Sequence, residues 1–166
     1  MIYDLKREYS ALGVVVADLE GLRLAINTGK RQIVYQPQDL STEHFNDVCA
    51  FIFRYLKNMV FCVDEVHNWA TKMFIPLEFK RLITVAQGEP YNIGIIAITQ
   101  RPANVHNDIL SNASLIICFK LHLQHDIKAV ADMTGIEPQV IADLPYYHYV
   151  VFNDRAEQPI TLCKPI

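Results

Sequence analysis

The run Met59-Val60-Phe61-Cys62-Val63, which passes straight into Asp64-Glu65, constrains the fold more than any other stretch of this chain. It is continuously apolar rather than alternating. A strand of that kind is covered on both faces, and such strands belong to parallel sheets flanked by helices. Ending in two adjacent carboxylates, it sets charge at the carboxyl edge of the sheet, where open α/β sheets hold their ligands. Neighbouring side chains on a strand point to opposite faces, so Asp64 and Glu65 can act side by side only if the strand stops there and the chain turns.

A second strand end has the same character. Ile93-Gly94-Ile95-Ile96-Ala97-Ile98 is short, apolar and β-rich, and it closes on Thr99-Gln100-Arg101-Pro102. Taken singly, each end has a plain reading: a buried strand finishing in solvated acids, and a polar turn that Pro102 stops. Taken together they are far more specific. Asp64-Glu65 fits a Walker B pattern, in which the first carboxylate holds Mg²⁺ and the second polarises the attacking water. At the neighbouring edge the amide of Gln100 can sense a terminal phosphate, and Arg101 can neutralise charge that develops in phosphoryl transfer.

The rest of the chain alternates in the manner of an α/β protein. Ile2, Leu5, Tyr9 and Leu12 are spaced three and four apart with Gly13 behind them, which predicts a helix at the start of the chain. Val14–Ala17 reads as a buried strand ending at Asp18, residues 22–30 as a short amphipathic piece and turn, and Arg31–Pro37 as a strand. Ser41 or Thr42 caps a helix that runs to about Lys57, with Phe45, Val48, Cys49, Ile52, Phe53 and Leu56 on one face. Pro76–Gln87 predicts a further helix, residues 103–112 a loop with a helical turn, and Ser114–Phe119 a strand. Helices follow over Gln124–Met133 and Glu137–Ala142. Tyr147–Phe152 and Gln158–Cys163 then form a terminal hairpin, with Pro159 at an edge. The strands near 14–17, 31–35, 60–63, 93–98 and 114–119 are expected in one largely parallel sheet, within a single domain spanning 1–166.

Composition limits the classes of function. With 166 residues, 51% of them hydrophobic and a net charge of −3, the chain can bury a core and carries no overall basic field, so any nucleic-acid contact must be local. No apolar run reaches the ~20 residues of a membrane span, and the amino terminus lacks the order of a signal peptide; a cytoplasmic protein is expected. Cys49, Cys62, Cys118 and Cys163 have no paired spacing and read as small hydrophobes in a reducing compartment.

In the order of these pieces the chain resembles the HerA/FtsK group of P-loop ATPases, which includes DNA translocases, conjugation ATPases and viral packaging motors. The resemblance runs through Val14-Val-Val-Ala-Asp18-Leu-Glu20-Gly, Val60-Phe-Cys-Val-Asp64-Glu65-Val-His67, Ile98-Thr-Gln100-Arg101-Pro102 and Asn112-Ala-Ser-Leu-Ile-Ile. It implies a RecA-like (ASCE) three-layer α/β sandwich with a mostly parallel sheet and a C-terminal β-hairpin. It also implies Mg²⁺ on Asp64, Glu65 as the catalytic carboxylate, Gln100 at the γ-phosphate, and Arg101 stabilising charge in its own or a neighbouring subunit. The implied partners are copies of the same chain, as a hexamer in a complete protein, and double-stranded DNA.

One departure is large. A glycine-rich loop cradles phosphates with backbone N–H groups and a lysine, and no such loop occurs here. The one Gly-Lys pair, Gly29-Lys30, is followed by Arg31, has Leu24 where the first glycine belongs, and precedes a strand. The chain is therefore expected to be the carboxyl-terminal portion of such an ATPase domain without the P-loop strand, or a non-catalytic paralogue acting in assembly or regulation. In either case no tightly bound Mg²⁺ or ATP is expected on this chain. Gly88-Glu89 stands where many relatives have Gly-Arg, which removes a basic contact.

Other readings remain open at this level. Asp64-Glu65-Val66-His67 also fits the D-E-x-H box of superfamily 2 helicases, although Thr-Gln-Arg-Pro replaces their small-residue motif, and His67 packed against the strand end is preferred. His122, His125 and Asp126 could form a metal site but lack a supporting fourth ligand. Lys72 and residues 103–112 are candidates for a pore, while Lys80 and Arg81 suit a solvated face. Tyr146, Tyr147 and Tyr149 suit edge packing better than base stacking.

Overall fold

Five strands hydrogen-bond into one parallel sheet in the computed structural model, which describes residues 1–164. They are β1 (Ile2–Tyr3), β2 (Val14–Val16), β3 (Ile33–Tyr35), β4 (Met59–Val63) and β5 (Ile93–Ala97), arranged in the order β2-β3-β1-β4-β5. Every neighbouring pair is parallel. With helices α1 (Leu19–Asn27), α2 (Thr42–Tyr55) and α3 (Leu77–Thr84) they make up a unit spanning Met1–Gln100.

The helices start where their caps predict. Asp18 accepts from the Gly21 N–H at 2.7 Å to open α1, and the Ser41 hydroxyl accepts from the His44 N–H at 3.1 Å to open α2. Helix α2 buries Phe45, Val48, Cys49, Phe51 and Ile52. Beneath the carboxyl edge of the sheet lies an aromatic cluster in which Tyr3 stacks on Tyr35 at 5.4 Å and meets Phe45 and Trp69 edge-on.

The start of the chain corrects the sequence reading. Residues 2–12 form no α-helix: Ile2–Tyr3 is a strand between β3 and β4, and only Ser10–Leu12 makes a 3₁₀ turn. The Asp4 carboxylate accepts from the Glu8 and Tyr9 N–H groups at 3.1 and 3.0 Å and from the Gln36 amide at 2.9 Å. It thus takes the N–H groups that a helix would direct to backbone carbonyls, so the segment closes as a loop. Gly13 ends no helix either. A Cβ there would lie 2.5 Å from the Gln32 carbonyl oxygen, so glycine is required for β2 to approach β3. Strand β2 is an edge, with Val14 and Val15 exposed rather than buried.

From Arg101 onward the chain forms a second unit. It contains α4 (Asn107–Ser111), β6 (Leu115–Phe119), α5 (Gln124–Thr134), α6 (Pro138–Ala142), β7 (Tyr149–Asn153) and β8 (Ile160–Cys163). Its antiparallel sheet has the order β6-β7-β8, in the register Phe119↔Tyr149 and Val150↔Leu162. The expected hairpin is present. Strand 115–119, expected in the parallel sheet, pairs with the hairpin instead; an apolar run without alternation does not reveal whether its neighbour runs parallel or antiparallel. Cys118, Val150, Ile127, Ile141 and Leu144 form this unit's core. Among the described residues no helix is long and apolar enough to cross a membrane.

Candidate functional site

Strands β4 and β5 run side by side with Val63 opposite Ala97. The ladder continues past both ends: Ile98 N–H donates to Val63 O and Val66 N–H to Ile98 O, each at 2.9 Å. Asp64-Glu65 and Thr99-Gln100 therefore leave the sheet at the same carboxyl edge. Strand β1 ends there as well, since Asp64 N–H donates to the Tyr3 carbonyl at 3.1 Å.

The turn between the two carboxylates is left-handed. Glu65 has φ 49° and ψ 48°, a conformation that costs an L residue on the order of 1–2 kcal/mol and concentrates at functional sites. Both acids are nearly enclosed, Asp64 at 3% exposure and Glu65 at 6%. Asp64 Oδ2 has no hydrogen-bond partner among the described residues. Burial, and then the Glu65 charge, push the Asp64 carboxyl above the usual carboxylate range.

Glu65 is held through one of its two carboxylate oxygens. The Lys6 ammonium pairs with Oε1, and His67 Nδ1 lies 3.3 Å from Oε2. The bond to Glu65 holds Lys6 above the ordinary lysine range. His67 Nδ1 is also 2.9 Å from the Thr99 hydroxyl, so a contact path runs from Glu65 through His67 to the residue preceding Gln100. Gln100 itself is exposed.

Arg101 opens the second unit. Its Nη1 stands 4.0 Å from Oδ2 of Asp126, a buried carboxylate whose Oδ1 accepts from the Ala103 N–H at 3.0 Å. Among the described residues no group of three or more His, Cys, Asp or Glu could hold a metal, so the His122, His125 and Asp126 alternative is not formed. Arg81 pairs at 2.8 Å with the buried Glu78, while Lys72 is exposed.

The carboxylates fit one kind of cation. Mg²⁺ prefers one or two carboxylates with water and phosphate oxygens over an all-protein cage. A buried carboxylate with one unpartnered oxygen beside a second carboxylate is a donor set of that type. Sequence reasoning missed Lys6 and Asp4, and it read Asp126 as a candidate metal ligand rather than as the partner of Arg101 and the Ala103 N–H. The spacing of Ile2, Leu5, Tyr9 and Leu12 places Lys6 on a helix, and its sequence signal is a basic residue two positions after an acid that could end a strand.

No family model matches this sequence, and no curated protein matches it. Solved structures do. The genome packaging NTPase B204 from Sulfolobus turreted icosahedral virus 2, in complex with ATP-gammaS, superposes with a TM-score of 0.76 at 21% identity, over 99% of this chain and 80% of that one. The same protein in complex with sulfate gives 0.80 at 20% identity, over 99% and 80%. B204, the DNA-packaging ATPase from Sulfolobus Turreted Icosahedral Virus, gives 0.75 at 20% identity, over 99% and 82%. The likeness shows the fold: the chain has the α/β architecture of these packaging NTPases, with a mostly parallel sheet and a C-terminal hairpin.

Proposed function

We propose that this chain is the Walker B part of an ATP-driven motor that moves or packages DNA, and that its phosphate-binding loop is supplied from outside these residues. The observation that supports the reading is that Asp64-Glu65 and Thr99-Gln100 follow two adjacent parallel strands at the same sheet edge, in a fold shared with B204. In this reading Mg²⁺ supplies charge neutralisation on the β and γ phosphates. Asp64 offers its unpartnered oxygen to the cation, Glu65 takes up the proton of the attacking water, and Gln100 reports the terminal phosphate. Arg101 neutralises transition-state charge in its own or a neighbouring subunit. The working form is an oligomer in the cytoplasm, a hexamer when complete, acting on double-stranded DNA.

A P-loop contributes most of the phosphate donors and a lysine charge, and the carboxylates act only on a triphosphate already held. The chain by itself is expected to bind Mg·ATP very weakly and to hydrolyse it no faster than buffer. The test pairs calorimetric titration with Mg·ATP and a phosphate-release assay, on this chain and on one joined to a strand and a Gly-x-x-x-x-Gly-Lys-Ser segment. Glu65-dependent turnover by the joined protein supports the motor. Tight ATP binding by the short chain overturns the claim that the loop must come from elsewhere. A joined protein that binds ATP without Glu65-dependent turnover marks the chain as an assembly or regulatory module.

A further inference from the structure

We propose that Lys6 is a built-in counter-ion of the Asp64–Glu65 pair, which competes with a divalent cation for these carboxylates and is displaced when one binds. The inference rests on the reading of Asp64 as the metal carboxylate. Two adjacent carboxylates enclosed at 3% and 6% exposure are costly unless charge of opposite sign is close by. Lys6 supplies it through Glu65 Oε1, and its side chain is still about one third exposed, so the ammonium has a short route to water.

The loop that carries Lys6 is built for this placement. Strand β1 pairs with β4 as Tyr3↔Val63, so the residues after Tyr3 emerge beside those after Val63. Asp4 then folds the chain back through its bonds to the Glu8 and Tyr9 N–H groups, and Arg7 takes a left-handed φ of 62° at the bend. Lys6 lies inside that fold-back. His67 Nδ1 lies 3.3 Å from the opposite carboxylate oxygen and 2.9 Å from the Thr99 hydroxyl, so the fixed charge beside the pair is that of Lys6. A cation approaching Asp64 meets a site whose charge is already partly neutralised, and it binds more weakly than the carboxylates alone would allow.

The test is Mn²⁺ titration of the ¹⁵N-labelled chain, read as paramagnetic broadening of the amide signals of residues 63–66, with no nucleotide present. Lys6→Met keeps the aliphatic stem and removes the charge; half-broadening is expected at about a two- to fivefold lower Mn²⁺ concentration than in the wild type, the range of a partly exposed ion pair. Lys6→Arg, which keeps the charge, is expected to titrate like the wild type. Equal titration of Lys6→Met and wild type, with broadening lost in Asp64→Asn, overturns the role of Lys6 and leaves the metal carboxylate standing. Absence of localised broadening in all of them overturns both. If Lys6→Met does not fold, a Lys6→Gln chain takes its place, and tighter Mn²⁺ binding by Lys6→Arg than by wild type overturns the proposal.

Discussion

Asp64 is placed against its own stability. Because burial and the Glu65 charge raise its folded-state pKa, the native chain holds the proton more tightly than the unfolded chain does. Its contribution is therefore most favourable below the ordinary aspartate value of ~3.9 and declines as pH rises through the raised value. Asp64→Asn removes the charge and is expected to raise unfolding stability at pH 7 relative to the wild type, with the gain shrinking towards pH 4. Urea unfolding of both chains at the two pH values measures this; an equal difference at both would show that the Asp64 charge carries no such cost. The two carboxylates were legible in the sequence because a buried strand that ends in charge is a local pattern. Their counter-ion was not, because Lys6 reaches Glu65 through a loop return across fifty-odd positions of sequence, and no periodicity records that.

At the level of elements, length decided what the sequence could show. Strands β4 and β5 and helices α2 and α3 each carry an apolar run or a helical stripe long enough to be read alone. Strand β1 has two residues, too few for any period, and the apparent helical spacing of Ile2, Leu5, Tyr9 and Leu12 arises from a strand, a loop and a 3₁₀ turn. Gly13 looked the same under either reading, as a helix terminator or as a point of close approach. The structure separates the two readings by a measurable consequence. An alanine Cβ at 2.5 Å from the Gln32 backbone oxygen must push β2 from β3, with which it shares three residue pairs. Gly13→Ala is expected to cost about 1–3 kcal/mol, the scale of overpacking. Thermal unfolding reads it directly, and a cost of only a few tenths, as expected past a solvated helix end, would contradict the strand contact. Strand β6 shows a different limit. Its apolar run was visible, but the choice of an antiparallel partner in β7 is made by residues thirty and more positions away.

Across the whole molecule, each sheet of the described residues ends in two edge strands, β2 and β5 in the parallel sheet and β6 and β8 in the antiparallel one. Strand β5 is last in the order β2-β3-β1-β4-β5, and β6 is last in β6-β7-β8. Natural edge strands are usually kept short, charged, bulged or covered. Neither of these is so protected by its own side chains: Ile96 on β5 is exposed, and on β6 Leu115, Ile117 and Phe119 are exposed in alternation, which puts them on one face. Each edge offers a row of backbone donors and acceptors flanked by apolar side chains, the template onto which another strand adds. The chain is therefore expected to self-associate with rising concentration. A lysine on each edge, Ile96→Lys together with Ile117→Lys, sets charge beside both without disturbing the buried faces. It is expected to raise the concentration at which association is half complete by about tenfold or more, equivalent to ~1.4 kcal/mol. Sedimentation equilibrium over a wide concentration range provides the measurement. A wild-type mass that stays at one chain throughout would mean that these edges are closed in solution, and a doubly substituted chain that associates as strongly as the wild type would place the contact elsewhere.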